Sequence, residues 1–143
     1  MLPPSLSGTT WRGRAELWLD PLGDTAEWSD CAIQVHADRV TYEWARGDTP
    51  HHGEIAATAD GAAFTDTFHA STPMAFRAET PSAALVDLRG SYTAGDGPPW
   101  GWRIILAHRP AVFGMSEALV LQMTNITPWG EEVRAVRMTA ARA

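Results

Sequence analysis

Between Tyr92 and Arg142 the chain passes through three segments that alternate in character at every second residue, joined by connections too short for anything but a reversal of direction. In Pro99–His108 the even positions carry Trp100, Trp102, Ile104 and Leu106, with Gly101, Arg103 and Ala107 between them. In Glu117–Asn125, Leu119, Leu121 and Met123 share one face and Val120, Gln122 and Thr124 the other. Ile126-Thr-Pro-Trp-Gly130 leads into a third segment, Glu131–Ala141, through a tight turn in which proline presets φ and glycine supplies a positive one. A period of two is that of a strand, and short connections force antiparallel neighbours.

The upstream chain repeats this pattern. Trp11, Gly13, Ala15, Leu17 and Leu19 alternate with Arg12, Arg14 and Glu16 over Thr10–Leu19, and the turn cluster Asp20–Asp24 ends that segment. Further strands are expected over about Ala26–Ala37, Val40–Trp44, His51–Ala59, Phe64–His69, Met74–Glu79 and about Ala84–Tyr92, with turns at Ala37–Arg39, Gly47–Pro50, Asp60-Gly61, Ser71–Pro73, Thr80-Pro81 and Ala94–Pro99. No segment carries a convincing helical period. An open sheet of about ten strands would expose two edges and a long apolar face, and closing it removes both problems. The expected fold is therefore all-β, a single antiparallel up-and-down barrel over residues 1–143, with 1–8 as an irregular lead; a two-sheet sandwich is the alternative.

Composition narrows the function classes. The chain has 143 residues, a formal net charge of −6 and one cysteine. All eleven basic residues are arginines, so lysine nucleophiles and Schiff bases are excluded. The arginines form no run that would follow a phosphate backbone, and nucleic acid is not expected as a partner. Cys31 excludes an internal disulfide, has no basic neighbour to activate it, and suits a reducing compartment. No apolar run reaches the roughly 20 residues of a membrane span, and no signal peptide is evident, so a cytoplasmic location is expected. Asn125-Ile-Thr127 then reads as a chance match to a glycosylation triplet.

Several segments together resemble the calycin-like barrels, in particular bacterial uncharacterised domains related in shape to lipocalins, fatty-acid-binding proteins and nitrobindins. These are Gly8-Thr-Thr-Trp11, Gly90-Ser-Tyr92, Trp100-Gly-Trp102 and the turn Met123–Gly130. The resemblance covers nearly the whole chain and describes a barrel more than a chemistry. It departs from the families in several places. Two residues separate Gly8 from Trp11 where lipocalins have one, and Asp20–Thr25 is too short for the helical lid of fatty-acid-binding proteins. The carboxylate-binding arginine and tyrosine of that group find only Arg137-Met-Thr139. The lipocalin pattern implies an arginine of the last strand over the tryptophan, a place for Arg137 or Arg134. Nitrobindins hold haem through a histidine near the C-terminus; none follows His108, so haem would need another ligand and no cofactor is expected.

Seven tryptophans are many for such a chain, and several fall on apolar faces. A lumen lined by aromatics with a few polar groups is the usual form of a small-molecule pocket. The candidate ligand-binding residues are Tyr42, Trp44, Asp66, Phe68, His69, Tyr92, Trp102, Arg103 and Met123. Asp66, between Phe64 and Phe68, is a carboxylate on an apolar face, which is costly unless paired; it would anchor a ligand, act as a base, or face an arginine such as Arg103 across the lumen. His51 and His52 with Glu54 offer metal donors, but adjacent residues of a strand take opposite faces. The first expectation is a binding module for a small hydrophobic or amphipathic molecule. The alternatives are an enzyme with Asp66 or His69 as general base, which no motif supports, and a homodimer joined through an exposed aromatic such as Trp18 or Trp129. If the rings fill the barrel completely, there is no cavity.

Overall fold

The computed structural model describes every residue except Met1 and Pro21; the latter falls within the expected Asp20–Asp24 turn and lies outside the described residues. Ten strands form one closed antiparallel barrel: β1 (Thr10–Leu17), β2 (Glu27–Val35), β3 (Arg39–Arg46), β4 (Thr49–Ala57), β5 (Gly61–Asp66), β6 (Ala70–Ala78), β7 (Val86–Tyr92), β8 (Trp100–Arg109), β9 (Ala118–Ile126) and β10 (Glu132–Arg142). Each strand pairs with its neighbours in sequence, and β1 pairs with β10 to close the ring. The sandwich is excluded by this unbroken circuit.

The alternation places one residue in two inside. Trp11, Ile33, Phe64, Ile104, Leu106, Leu119, Leu121, Met123 and Met138 are fully buried, and their packing fills the body of the barrel. At one end the N-terminal lead folds back as a cap. Leu2 and Leu6 are buried, Gly8 N–H donates to the carbonyl of Val35, and the Trp11 indole donates to Thr9 Oγ1. Arg142 of β10 lies over the Trp11 ring, 4.9 Å from its centroid. The arginines expected there go elsewhere: Arg134 and Arg137 cover Trp18, at 4.7 and 5.7 Å.

Three boundaries differ from the sequence reading, each for a physical reason. β1 stops at Leu17, and Trp18 faces outward as alternation requires, yet it is buried beneath those two arginines and so is no exposed interface aromatic. A bulge at Ala135 lets both Val133–Ala135 and Val136–Met138–Ala140 send residues inward. The reversal expected at Ser71–Pro73 occurs instead at Thr67–His69, and Pro73 lies in β6, where the register with β5 slips and no ladder hydrogen bond is demanded of it.

The ring is uneven. β8 and β9 pair over nine positions, but β6 and β7 pair only through Arg77↔Arg89 and Ala78↔Leu88. Beyond Arg77 the facing edges of Ala70–Ala75 and Gly90–Tyr92 carry no cross-strand pairing with each other. Alternate amides along those edges are expected to exchange with solvent about a hundredfold faster than amides of β8 and β9 in a native-state exchange experiment.

Candidate functional site

The site is built on a buried carboxylate. Tyr42 on β3, Gly53 on β4 and Asp66 on β5 occupy adjacent register positions. A Cβ at position 53 would lie 2.3 Å from both Cζ and the hydroxyl oxygen of Tyr42, so glycine is what lets that ring lie across β4 and reach Asp66. The Tyr42 hydroxyl donates to Asp66 Oδ2 at 2.5 Å. The other oxygen, Oδ1, accepts from the backbone N–H groups of Phe68 at 2.7 Å and His69 at 2.9 Å. Asp66 therefore caps the turn that follows it, an Asx turn that reverses the chain four residues earlier than its Ser-Thr-Pro segment suggests. Burial, together with the Asp66 carboxylate, raises the Tyr42 phenol well above its ordinary range, and it remains a neutral donor.

The capped turn presents Phe68 and His69 to a row of rings. His51 stacks on Trp44 at 4.8 Å, Trp44 stands 5.4 Å from Phe68 and 5.8 Å from His69, and His69 lies 5.2 Å from Trp102. Tyr92 meets Trp102 edge-on at 6.5 Å, and its hydroxyl donates to Asn125 Oδ1. Alongside this row, where β6 and β7 part, is a cavity of about 510 Å³. Phe68, His69, Tyr92 and Trp102 contribute to its walls, fully buried Phe64 lies deepest, and exposed Ser71 and Thr93 mark its mouth.

Three ring nitrogens around the cavity are buried without partners. Trp102 is 6% exposed and lines it, yet its Nε1 has no hydrogen-bond partner; the same holds for Nε2 of His69. Trp44, 5% exposed and packed behind His69, also has an unpartnered Nε1. Unpartnered buried donors are rare and costly. Burial lowers the pKa of His69 below its ordinary 6.5, opposed by the Asp66 carboxylate and reinforced by His51, so the ring is neutral near pH 7.

The expected site residues thus separate. Trp44, Phe68, His69, Tyr92 and Trp102 gather at one end, with Tyr42 and Asp66 supporting them from within the core. Met123 is buried in the filled body and does not line the cavity. Arg103 is the clear correction. Sitting between inward Trp102 and Ile104, it faces outward and clasps Asp87 with Nε and Nη2, both at 3.0 Å, while reaching Glu132 at 3.3 Å. This arginine holds the Asp87 carboxyl below the usual range against the opposing effect of burial. His108 sits at the opposite end of the barrel from His69, against Glu117 at 3.0 Å and edge-on to Trp11. Among the described residues, no three or more His, Cys, Asp or Glu side chains gather as a metal cage. Trp129, edge-on to Trp100, is 74% exposed.

Sequence reasoning did not find Asn125, the stacking role of His51, or the cap formed by Asp66. The last had a signal, since aspartate is favoured at the first position of a turn. A second cavity, about 240 Å³, lies at the capped end among Val40, Ile55, Ala62 and Leu88. The charged groups at its edge already pair, Asp38 with Arg39 and Asp87 with Arg103.

No protein-family model matches the chain, and no curated protein matches it. Among the described residues no helix is long and apolar enough to cross a membrane.

Two outcomes follow from this geometry. Gly53→Ala is expected to displace Tyr42 from Asp66 and lower stability by about 2–4 kcal/mol in denaturant titrations, a large effect for one methyl group. Because His69 binds its proton more weakly folded than unfolded, the unfolded chain takes up more protons as pH falls below about 6.5. Stability should therefore be lost on acidification through that point, by at most about 1.4 kcal/mol per pH unit, and His69→Gln should flatten this part of the profile.

Proposed function

We propose that this barrel is a binding module for a small, largely apolar molecule held in the cavity beside Trp102 and His69. The observation that carries the reading is a 510 Å³ recess walled by the rings of Phe64, Phe68, His69, Tyr92 and Trp102. A recess lined by rings with a few polar atoms suits a ligand with an apolar body and one oriented polar group. The enzymatic alternative has less support. Both Asp66 oxygens are occupied by protein donors, and His69 has neither an acidic side-chain partner nor a nucleophile hydrogen-bonded to it.

Kinship with the calycin-like barrels is part of the same proposal. It is supported by the ten-strand circuit and by Arg142 of the last strand lying over Trp11 of the first. A reducing, cytoplasmic setting is supported by Cys31, whose thiol burial pushes up to about 11, away from ready oxidation.

Native mass spectrometry of freshly purified protein, compared with its denatured mass, tests the reading. An extra mass released on unfolding is expected, and Ser71→Trp, which plugs the mouth from an exposed position, is expected to lose that mass while keeping the melting temperature. A bare native mass, or retention in the plugged variant, would argue against the cavity as the site.

A further inference from the structure

We propose that the seam where β6 and β7 part is a docking edge for an extended acidic peptide, which adds to the sheet as a short strand and lays its carboxylate beside Arg77 and Arg89.

The backbone points to an added strand. Arg77 faces Arg89 and Ala78 faces Leu88, and just beyond them the amide of Glu79 donates to the carbonyl of Asp87. The amide of Ala78 turns the other way, to the carbonyl of Asp60. Alternation therefore turns the odd-numbered residues of β6 toward β7, and the next pair in this register would be Ala75 with Ser91. That pair is not made. Pro73, the next odd position, has no N–H to offer, so the ladder lacks a donor there as well. Ala75 and Ser91 are both exposed, and both line a groove of about 410 Å³ beside the seam. A sheet edge left in this state is a template for another extended chain.

The side chains point to its charge. Arg77 and Arg89 stand directly opposite one another, both are exposed, and both line the groove. Like charges in that position oppose the pairing of their own strands. Arg89 is matched by Glu79 at 2.9 Å, whereas among the described residues Arg77 makes no ion pair. The seam thus keeps one guanidinium in excess, and a carboxylate laid beside it supplies the missing counter-charge. Further along, Pro99, Trp100 and Ile126 give the groove an apolar wall. Gly101 keeps it low, since Ile126 lies across that position, where a Cβ would come within 2.8 Å of its own Cβ. Side chains on one face of a strand recur at every second residue, roughly 7 Å apart. An acidic side chain at the arginines therefore sets the next outward side chain against Trp100, and the pattern recognised is acidic, any residue, apolar. A free carboxylate has only exposed arginines to hold it, which by themselves contribute little; the open backbone edge adds hydrogen bonds that a peptide alone can use.

The probe is the blocked peptide acetyl-Ser-Thr-Asp-Thr-Val-Thr-amide, titrated into the isotope-labelled protein while backbone amide shifts and exchange are followed. It is compared with versions carrying asparagine or lysine in place of the aspartate, with two versions N-methylated at alternate amides in either phase, and with acetyl-aspartate methylamide. The acidic peptide is expected to bind about fivefold more tightly than its asparagine version and to slow exchange of the Ser91 amide, with the lysine version weaker still. N-methylation in at least one phase should weaken binding about tenfold. Arg77→Gln, which removes an exposed side chain without an ion pair, is expected to keep the melting temperature and to abolish the preference for aspartate over asparagine. Equal binding of the three side-chain versions, unweakened binding by both methylated peptides, or an intact preference in Arg77→Gln would each overturn the proposal. Acetyl-aspartate methylamide binding as tightly as the peptide would overturn it in favour of a small-anion site. Absence of binding by any peptide up to about 1 mM would overturn it outright.

Discussion

One buried carboxylate ties together three strands, a turn and the row of rings at the mouth of this barrel. Asp66 is almost wholly removed from water, and a carboxylate in such a place is tolerated only when its oxygens are met by donors. Here the donors are a phenol from β3, delivered over a glycine of β4, and two amides of the turn leading to β6. The same contacts that satisfy the charge fix where the chain reverses. Because they fix the reversal, they also set where Phe68 and His69 stand against Trp44 and Trp102. Asp66 thus shapes the cavity through the backbone it holds.

The filled body of the barrel explains why the recess is at an end. Interdigitated side chains from Trp11 to Met138 leave the middle at interior density, and the N-terminal lead, through Leu2 and Leu6, caps one mouth. The other mouth is floored by Phe64 and bordered by the shortest ladder between neighbouring strands. Polar groups at the capped end form closed pairs, whereas those at the recess leave ring nitrogens over. The two ends thus differ in chemistry as well as in size.

The strands were legible because alternation is a local property. Every segment from Thr10–Leu19 to Glu131–Ala141 coincides with a strand to within a few residues, and short connections left closure as the way to protect ten strands. What escaped was set by partners distant in sequence. Arg103 looked like a mate for Asp66 because both stood out, but it follows the alternation outward to Asp87, sixteen residues away on β7. Trp18 also followed its alternation, and its burial came from Arg134 and Arg137, which no local pattern announces. At Asp66 the apolar neighbours drew attention to an apparent conflict, and the resolution lay in Tyr42, twenty-four residues earlier. The aromatic members of the site were readable as inward positions, but the nitrogens without partners became visible only when the neighbours were in place.

The short ladder between β6 and β7 changes what kind of object this barrel is. β1 and β10, at opposite ends of the chain, are joined over seven positions, while β6 and β7, adjacent in sequence, are joined over two. Mechanically the molecule is one continuous ten-strand ribbon, β7 through β10 and on from β1 to β6, rolled until its two margins join at two positions and part beside the recess. The width of the recess is then governed by how tightly the whole ribbon is rolled. A small change of curvature shared among many strands, each moving little, is enough to alter that width, so the packed core and the opening belong to the same sheet.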